Sequence, residues 1–291
     1  MSKAGTKSNQ GDDYQRLVAL HWLIRLINDQ DGISYIQAES NGLPGIDEEI
    51  SVDDVVVVYA NGRRRHIQAK KNQPQNRMWS LSDRSLADEL PKIRDQLESK
   101  DDTIVELCSR TPFGDLQSLA DASKEYPDFN AFQRGGGNNL KTTLIVLAAK
   151  WERSEEHSLH LLRRLEFASC LSYEDLNRQN RQDLARIVSH ADIALPILES
   201  FLNVHQSKLQ SVALTIYLDD VIHLLEQRGV LKALMKNESE ILEQFRQASC
   251  IGRTWPRTVG GRRIERVELK HLIKMIEDGA YGGKGSEAHK A

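Results

Sequence analysis

Residues 54–70, with the sequence DVVVVYANGRRRHIQAK, predict a β-hairpin around which the rest of the chain can be arranged. Val52 to Tyr59 is rich in β-branched residues and predicts a strand. Its four consecutive valines are too apolar for a solvated face, so we expect both sides of this strand to be buried. Asn61-Gly62 predicts a tight turn, and Arg64 to Lys70 is the predicted returning strand.

Further elements are predicted on both sides of the hairpin. Tyr14 to Ile27 has apolar residues at helical spacing, and Ser82 to Ser99 has a similar pattern. Ile33 to Glu39 and Thr103 to Cys108 predict short strands. An order of helix, three strands, helix and strand predicts an α/β arrangement, in which a mixed sheet is flanked by helices.

The pattern changes after about residue 155, and we expect a mainly α-helical C-terminal region without a run of strands. Leu140 to Ala148 is apolar and predicts a strand before this change. We predict a disordered lead at 1–10, an α/β domain at 11–150, a helical domain at 151–279 and a flexible tail at 280–291. The predicted helices of the later half are His157–Phe167, Tyr173–Val188, Ile193–Leu209, Val212–Arg228 and Glu238–Ala248.

Composition narrows the class of protein. The chain has 291 residues, of which 40% are hydrophobic and 28% are charged, as is ordinary for a globular protein. It has no apolar run long enough for a membrane span, and Met1 to Gln10 lacks the apolar stretch of a signal peptide. The three cysteines are far apart and form no zinc pattern. We therefore expect a cytoplasmic protein.

The net charge of −3 does not indicate nucleic-acid binding, but the distribution of charge is informative. Residues 39–54 contain six acids and no Lys or Arg, whereas residues 61–81 contain six bases and no acid. Carboxylates that could hold a cation thus lie next to bases that could hold phosphate, and Lys71 and Arg77 are candidate DNA contacts. The basic stretch 253–266 predicts a loop that docks on a partner or follows a DNA backbone.

The hairpin carries the residues that hydrolysis of a phosphodiester requires. Asp54 enters the buried valine strand, so a rigid element fixes its carboxylate. Gln68 and Lys70 lie two apart on the returning strand and therefore share a face. Asp54 and Gln68 offer oxygens for a divalent cation, and Lys70 offers a positive charge for phosphate. Glu39 is our choice for the second carboxylate, with Glu49 as the alternative.

These motifs together resemble a known family. Asp54–Val58 followed by Ile67–Lys71 resembles the core of the restriction-endonuclease-like PD-(D/E)xK superfamily, in its variant with Gln in the middle position. With Gly11 to Gln15 leading into an apolar helix, the set resembles the double-stranded DNA endonuclease effector domain of bacterial anti-phage systems, including CBASS and Lamassu-type systems. The resemblance covers roughly residues 10–110, and the long segment between Glu39 and Asp54 departs from it.

The resemblance implies a Mg²⁺- or Mn²⁺-dependent DNA endonuclease. Asp54, Gln68 and Lys70 would be catalytic, Asp54, Gln68 and Glu39 would hold the metal, and Gln15 would support them. The implied partners are double-stranded DNA and a separate sensor protein. A separate sensor is expected because no second α/β domain is predicted after residue 150, and an SMC-like ATPase is our first choice for it. Apolar stripes in the helical half suggest a homo-oligomer. The alternative is a catalytically inactive nuclease fold that binds DNA or assembles a complex.

Overall fold

The computed structural model describes residues 3–28, 32–39, 50–52, 54–70, 78–168, 171–206, 215–232, 254–259 and 262–268, with the backbone alone at 3–13 and beyond 250. The chain divides into two compact units, Met1–Val221 and Ile222–Ala291. The first unit extends past residue 150, where the sequence predicted the end of the α/β domain.

A six-stranded mixed sheet organises the first unit, in the order β5-β4-β3-β2-β1-β6. Neighbouring strands from β6 through β1 and β2 to β3 are antiparallel, and β3, β4 and β5 run parallel. The predicted mixed sheet is confirmed. The strands are β1 Ile33–Ala38, β2 Val55–Tyr59, β3 Arg64–Ala69, β4 Thr103–Cys108, β5 Leu165–Phe167 and β6 Thr215–Tyr217.

The central hairpin forms as the sequence predicts. Val55 pairs with Ile67 and Val58 with Arg64 across the antiparallel β2–β3 ladder. All four valines of β2 are buried, as the sequence predicts. Val56 and Val58 form an apolar cluster with Tyr35 and Ile50. The turn includes Gly62 in the left-handed region at φ +82°, a conformation that glycine adopts without steric cost.

Helices cover both faces of the sheet. Alternation along β4 separates the two faces: Val105 and Leu107 join the apolar core with α3, α4 and α6, whereas Glu106 and Cys108 lie toward α1 and α8. The helices are α1 Lys3–Ile27, α2 Arg84–Ala87, α3 Leu90–Ser99, α4 Gly114–Glu125, α5 Phe129–Gly135, α6 Asn138–Trp151, α7 Glu155–Leu162, α8 Tyr173–Leu184, α9 Ala191–Gln206 and α10 Leu218–Gln227.

The predicted strand at 140–148 is wrong, because these residues form part of α6. Leu144, Leu147, Ala148 and Trp151 are buried, and their spacing of three, four and seven residues is that of one helix face. A short apolar run does not by itself distinguish a strand from a buried helix.

Two of the helices predicted in the C-terminal region are partly wrong, because each contains a short strand. The predicted helix His157–Phe167 ends at Leu162 and is followed by β5, and the predicted helix Val212–Arg228 contains β6 before α10. Each of these edge strands has only three residues, which is too short to show a period of two in the sequence.

Other boundaries differ from the prediction in smaller ways. The helix α1 begins at Lys3, well before Tyr14, and so includes part of the expected disordered lead. The basic stretch predicted as a loop contains an antiparallel hairpin of β7, Thr254–Val259, and β8, Arg262–Glu268. The predicted helix Glu238–Ala248 lies outside the described residues. Among the described helices, none has the length and hydropathy needed to cross a membrane.

The helix predicted from Ser82 to Ser99 is interrupted between α2 and α3. Pro91 lies in the first turn of α3, where its missing N–H costs nothing. In a continuous helix its ring would collide with the carbonyl of Ala87. The chain therefore bends at Asp88 and Glu89.

Candidate active site at the end of the central hairpin

The carboxylate of Asp54 is the centre of the candidate site. Asp54 is 7% exposed and immediately precedes β2. Its Oδ1 accepts a hydrogen bond from Gln15 Nε2 at 2.6 Å. Its Oδ2 accepts from Gln68 Nε2 at 2.6 Å and from the backbone N–H of Ala69 at 2.7 Å. These contacts fix both oxygens of a buried carboxylate.

The hairpin register explains why these groups meet. Because Val55 pairs with Ile67, the residue before Val55 lies opposite the end of β3. Gln68 is on the next position of β3, and the N–H of Ala69 also reaches the carboxylate. The helix α1 supplies Gln15, which is 5% exposed, from a segment distant in sequence.

Lys70 follows β3 and is also buried, at 6% exposure. Its backbone N–H donates to the carbonyl of Cys108 on β4 at 2.7 Å. Its Nζ donates to the carbonyl of Ser85 at 2.9 Å and lies 3.2 Å from Glu89 Oε1. Burial lowers the pKa of Lys70 below its usual value, while the carboxylates of Glu89 and Asp54 act in the opposite direction.

Glu89 is a residue that the sequence analysis did not identify. Its carboxylate lies between Lys70 Nζ and Lys92 Nζ, the second contact being 3.3 Å. It reaches Lys70 from the bend between α2 and α3, so its role depends on an interruption that the apolar spacing of 82–99 does not show. Pro91 was the feature of the sequence that could have indicated the bend.

Glu39 contacts Asp54 through a hydrogen bond between their backbones. The N–H of Glu39 donates to the carbonyl of Asp54 at 3.0 Å, and Glu39 has φ +51°, in the left-handed region. Its side chain is exposed, unlike that of Asp54. The alternative carboxylate Glu49 and the candidate DNA contacts Lys71 and Arg77 lie outside the described residues.

The structure thus brings Asp54, Gln68, Gln15 and Lys70 to one end of the hairpin. Three of them could hold a divalent cation: the Asp54 carboxylate, and the amide oxygens of Gln68 and Gln15 after a half-turn of each amide group. Such a turn exchanges oxygen for nitrogen with little change in shape. Among the described residues, no group of three or more His, Cys, Asp or Glu side chains could hold a metal ion.

This donor set fits a hard cation that keeps several waters. Mg²⁺ is commonly bound through one or two carboxylates together with water and phosphate oxygens. Asp54 is one such carboxylate, and the exposed Glu39 beside it could become a second. The amides of Gln15 and Gln68 are neutral oxygen donors of the same chemical class.

Comparisons with known proteins add a weak structural likeness. No family model matches the sequence, and no curated protein matches it. The chain is similar to the Cap4 SAVED/CARF-domain containing receptor of Moraxella osloensis, with 16% identity, a TM-score of 0.45, and coverage of 75% of this chain and 48% of that one. The Acinetobacter baumannii Cap4 receptor bound to the cyclic trinucleotide 2'3'3'-cAAA gives 16% identity, a TM-score of 0.45, and coverage of 75% and 46%.

The similar region spans about half the length of those receptors. A TM-score of 0.45 is too low to assign a function to this chain. The chemistry of the site therefore has to be argued from its own residues.

Proposed function

We propose that this protein is a metal-dependent endonuclease that cuts DNA. The observation that carries the proposal is the arrangement at the end of the central hairpin. A buried carboxylate, Asp54, is held by Gln68 from the adjacent strand and by Gln15 from α1, and a buried lysine, Lys70, follows on the same strand. Buried ionisable groups cost free energy and concentrate at functional sites.

Each residue has a role that follows from its place. Asp54 and Gln68 would hold the divalent cation, with Gln15 as a further oxygen donor and Glu39 at the open side. When bound, the cation would activate water and neutralise charge on the phosphate. Lys70 would stabilise the negative charge that develops on the phosphate. Glu89 and the carbonyl of Ser85 position the Lys70 ammonium group.

The mixed sheet supports the same proposal. The order of α1, the β1–β2–β3 meander, a helical segment and β4 is the one expected for a restriction-endonuclease-like core. In this order Asp54 starts β2, and Gln68 and Lys70 lie at the end of β3. Rigid strands hold these groups better than loops would.

Plasmid nicking by purified full-length protein tests the proposal, with the proteins encoded beside it added in a second series. Cutting is expected with Mg²⁺ or Mn²⁺ and not with EDTA. Lys70→Ala should reduce the rate by about 100-fold or more, because removing one charge-stabilising group typically has that effect. Lys124→Ala changes an exposed lysine on α4 and serves as the matched control. Equal cutting by Lys70→Ala and wild type would show that the assignment is wrong.

A second candidate is a catalytically inactive fold that binds DNA. It is favoured by the contacts of the two charged groups: N–H donors occupy both Asp54 oxygens, and Ser85 and Glu89 hold the Lys70 ammonium group. A gel shift that persists in EDTA, with no cleavage in either series, would favour this candidate.

The biological setting follows from the sequence resemblance to effector nucleases. We propose that the protein acts in bacterial defence against phages or plasmids. A sensor protein would activate it, because unrestrained DNA cleavage would harm the host. Our first choice for this sensor is an SMC-like ATPase. Self-association is part of the same proposal, and sedimentation of the protein with and without that sensor would measure it.

A further inference from the structure

A second cation, Arg110, lies at the same edge of the sheet as Lys70. Cys108 ends β4 and pairs with Ala69, which ends the parallel strand β3. Because the carboxyl ends of parallel strands share one edge of a sheet, Arg110 follows β4 where Lys70 follows β3. Asp54 lies at the same edge, since β2 runs antiparallel to β3 and begins there. Arg110 is therefore a neighbour of the candidate active site in the sheet.

The segment that carries Arg110 is held in place by Trp79. The Oγ of Ser109 accepts from the indole N–H of Trp79 at 2.8 Å and from the backbone N–H of Thr111 at 3.1 Å. The backbone N–H of Trp79 donates to the carbonyl of Pro112 at 2.8 Å. These contacts fix the backbone on both sides of Arg110, so its side chain starts from a defined position.

The Arg110 side chain lies on the α1 side of the site. Its guanidinium is over the ring of Tyr14, at 5.8 Å from the ring centre. Tyr14 precedes Gln15 on α1, and the Gln15 amide donates to Asp54. The Lys70 ammonium group instead reaches the carbonyl and carboxylate groups of the segment around α2. Two cations thus lie at this end of the hairpin, one toward α1 and one toward α2.

Arg110 differs in its partners from Arg65 of β3. Arg65 forms ion pairs with Glu106 and Glu166. Within the part of the chain that the structure describes, Arg110 forms no ion pair, and its half-buried side chain has a buried Nε without a hydrogen-bond acceptor. Contact with the face of a tyrosine ring leaves the in-plane N–H groups of a guanidinium available. These donors match the oxygens of a phosphate.

We propose that Arg110 binds a phosphate of the DNA backbone beside the phosphate that is cut. This inference rests on the proposed function, which makes DNA the ligand of this edge of the sheet. Lys70 would act at the cleaved phosphate, and Arg110 would hold a neighbouring one through the N–H groups of its guanidinium. A buried donor without an acceptor costs free energy, and the phosphate oxygens remove that cost. A contact to phosphate positions the duplex and carries no sequence information.

Fluorescence anisotropy of two labelled duplexes with different sequences, in EDTA, tests the inference on the full-length protein. Arg110→Gln removes the charge and keeps a side chain that can donate hydrogen bonds. It should weaken binding of both duplexes by about tenfold, because a hydrogen bond to a charged group is lost. Between about 50 and about 200 mM salt, the slope of log K against log [salt] should become shallower by about one, which is the contribution of one phosphate contact. Arg134→Gln, at an exposed position on α5, is the matched control and should leave affinity and slope unchanged.

Arg110→Lys separates loss of charge from loss of packing on Tyr14. It keeps the charge, so its salt slope should equal that of wild type, and thermal unfolding checks that each variant is folded. The inference is overturned if neither duplex binds to wild type, if Arg110→Gln keeps the wild-type slope, or if Arg110→Lys has the shallower slope of Arg110→Gln. Cleavage plays no part in this measurement. A shallower slope for Arg110→Gln supports the inference even if the wild-type protein never nicks plasmid DNA with Mg²⁺, and that result would contradict only the proposed cleavage.

Discussion

The Asp54 carboxylate contributes to the stability of the hairpin end and is central to the proposed function. Its three N–H contacts stabilise the negative charge at the end of the hairpin. The same charge is what a divalent cation would require there. Substitution of Asp54 should therefore affect folding and metal binding to different degrees, and the two effects can be measured separately.

Asp54→Asn should abolish most metal binding while leaving the protein folded. The Asn side chain has the same shape, and the Gln15 amide can turn to accept from its new N–H₂ group. Loss of charge from the hydrogen bonds should lower the free energy of unfolding by about 1–2 kcal/mol. Mn²⁺ titration followed by electron paramagnetic resonance measures binding, and urea unfolding in EDTA measures stability.

Asp121→Asn is the control for this experiment, because Asp121 is exposed on α4. It should change neither Mn²⁺ affinity nor stability. If Asp54→Asn bound Mn²⁺ as tightly as wild type, Asp54 would not be a metal ligand.

Some residues of the candidate site could be predicted from strand geometry in the sequence, and others could not. Gln68 and Lys70 were predicted from the two-residue period of a strand, and Asp54 from its place before the valines. Gln15 came from the family resemblance, since nothing in its spacing indicates a contact with Asp54. Glu89 was missed because its approach to Lys70 depends on a helix bend.

At the scale of elements, side-chain contacts between α3 and the start of α7 illustrate how helices are held together. Glu98 near the end of α3 accepts from Arg153 at 2.7 and 2.8 Å, and its Oε1 lies 2.8 Å from His157 Nε2. The hydrogen bonds from Arg153, followed by that from His157, lower the pKa of Glu98 from 4.5 to about 2, although burial acts in the opposite direction.

Glu98→Gln should flatten the acid dependence of stability. A carboxyl whose pKa is lower in the folded state contributes stability above its unfolded pKa of 4.5, and that contribution is lost as the pH falls toward about 2. The wild-type protein should therefore lose more stability than the variant between pH 4.5 and pH 2. The effect is small because solvent screens a partly exposed pair.

Urea unfolding at several pH values in this range measures the difference. Glu174→Gln, at an exposed position on α8, is the matched control and should follow the wild-type curve. An acid dependence of Glu98→Gln equal to that of wild type would contradict the importance of these contacts.

The elements themselves were predictable where their pattern is long. The strands β2 and β4 and the later part of α1 have enough apolar residues for their period to be recognised. The three-residue strands β5 and β6 are too short for such a period to be recognised. Their place at the sheet edges is decided by pairing with β4 and β1. Tertiary contacts therefore determine the elements that the sequence pattern could not.

At the scale of the whole molecule, these edge strands decide what can fold alone. A fragment of residues 1–150 corresponds to the lead and the predicted α/β domain but lacks β5 and β6. It also lacks α8, which packs on α1, and core residues Leu159, Leu162 and Leu165. Both outer strands of the remaining sheet would be uncovered, and exposed strand edges promote aggregation.

A fragment of residues 1–232 retains all six strands of the sheet and the whole of α10. We expect it to unfold in urea in one cooperative transition, because its core and its sheet edges are intact. The 1–150 fragment should aggregate or show a broad, non-cooperative loss of circular dichroism. A cooperative transition of the 1–150 fragment at the same urea concentration would show instead that residues after 150 are dispensable for the sheet, in line with the predicted end of the α/β domain at residue 150.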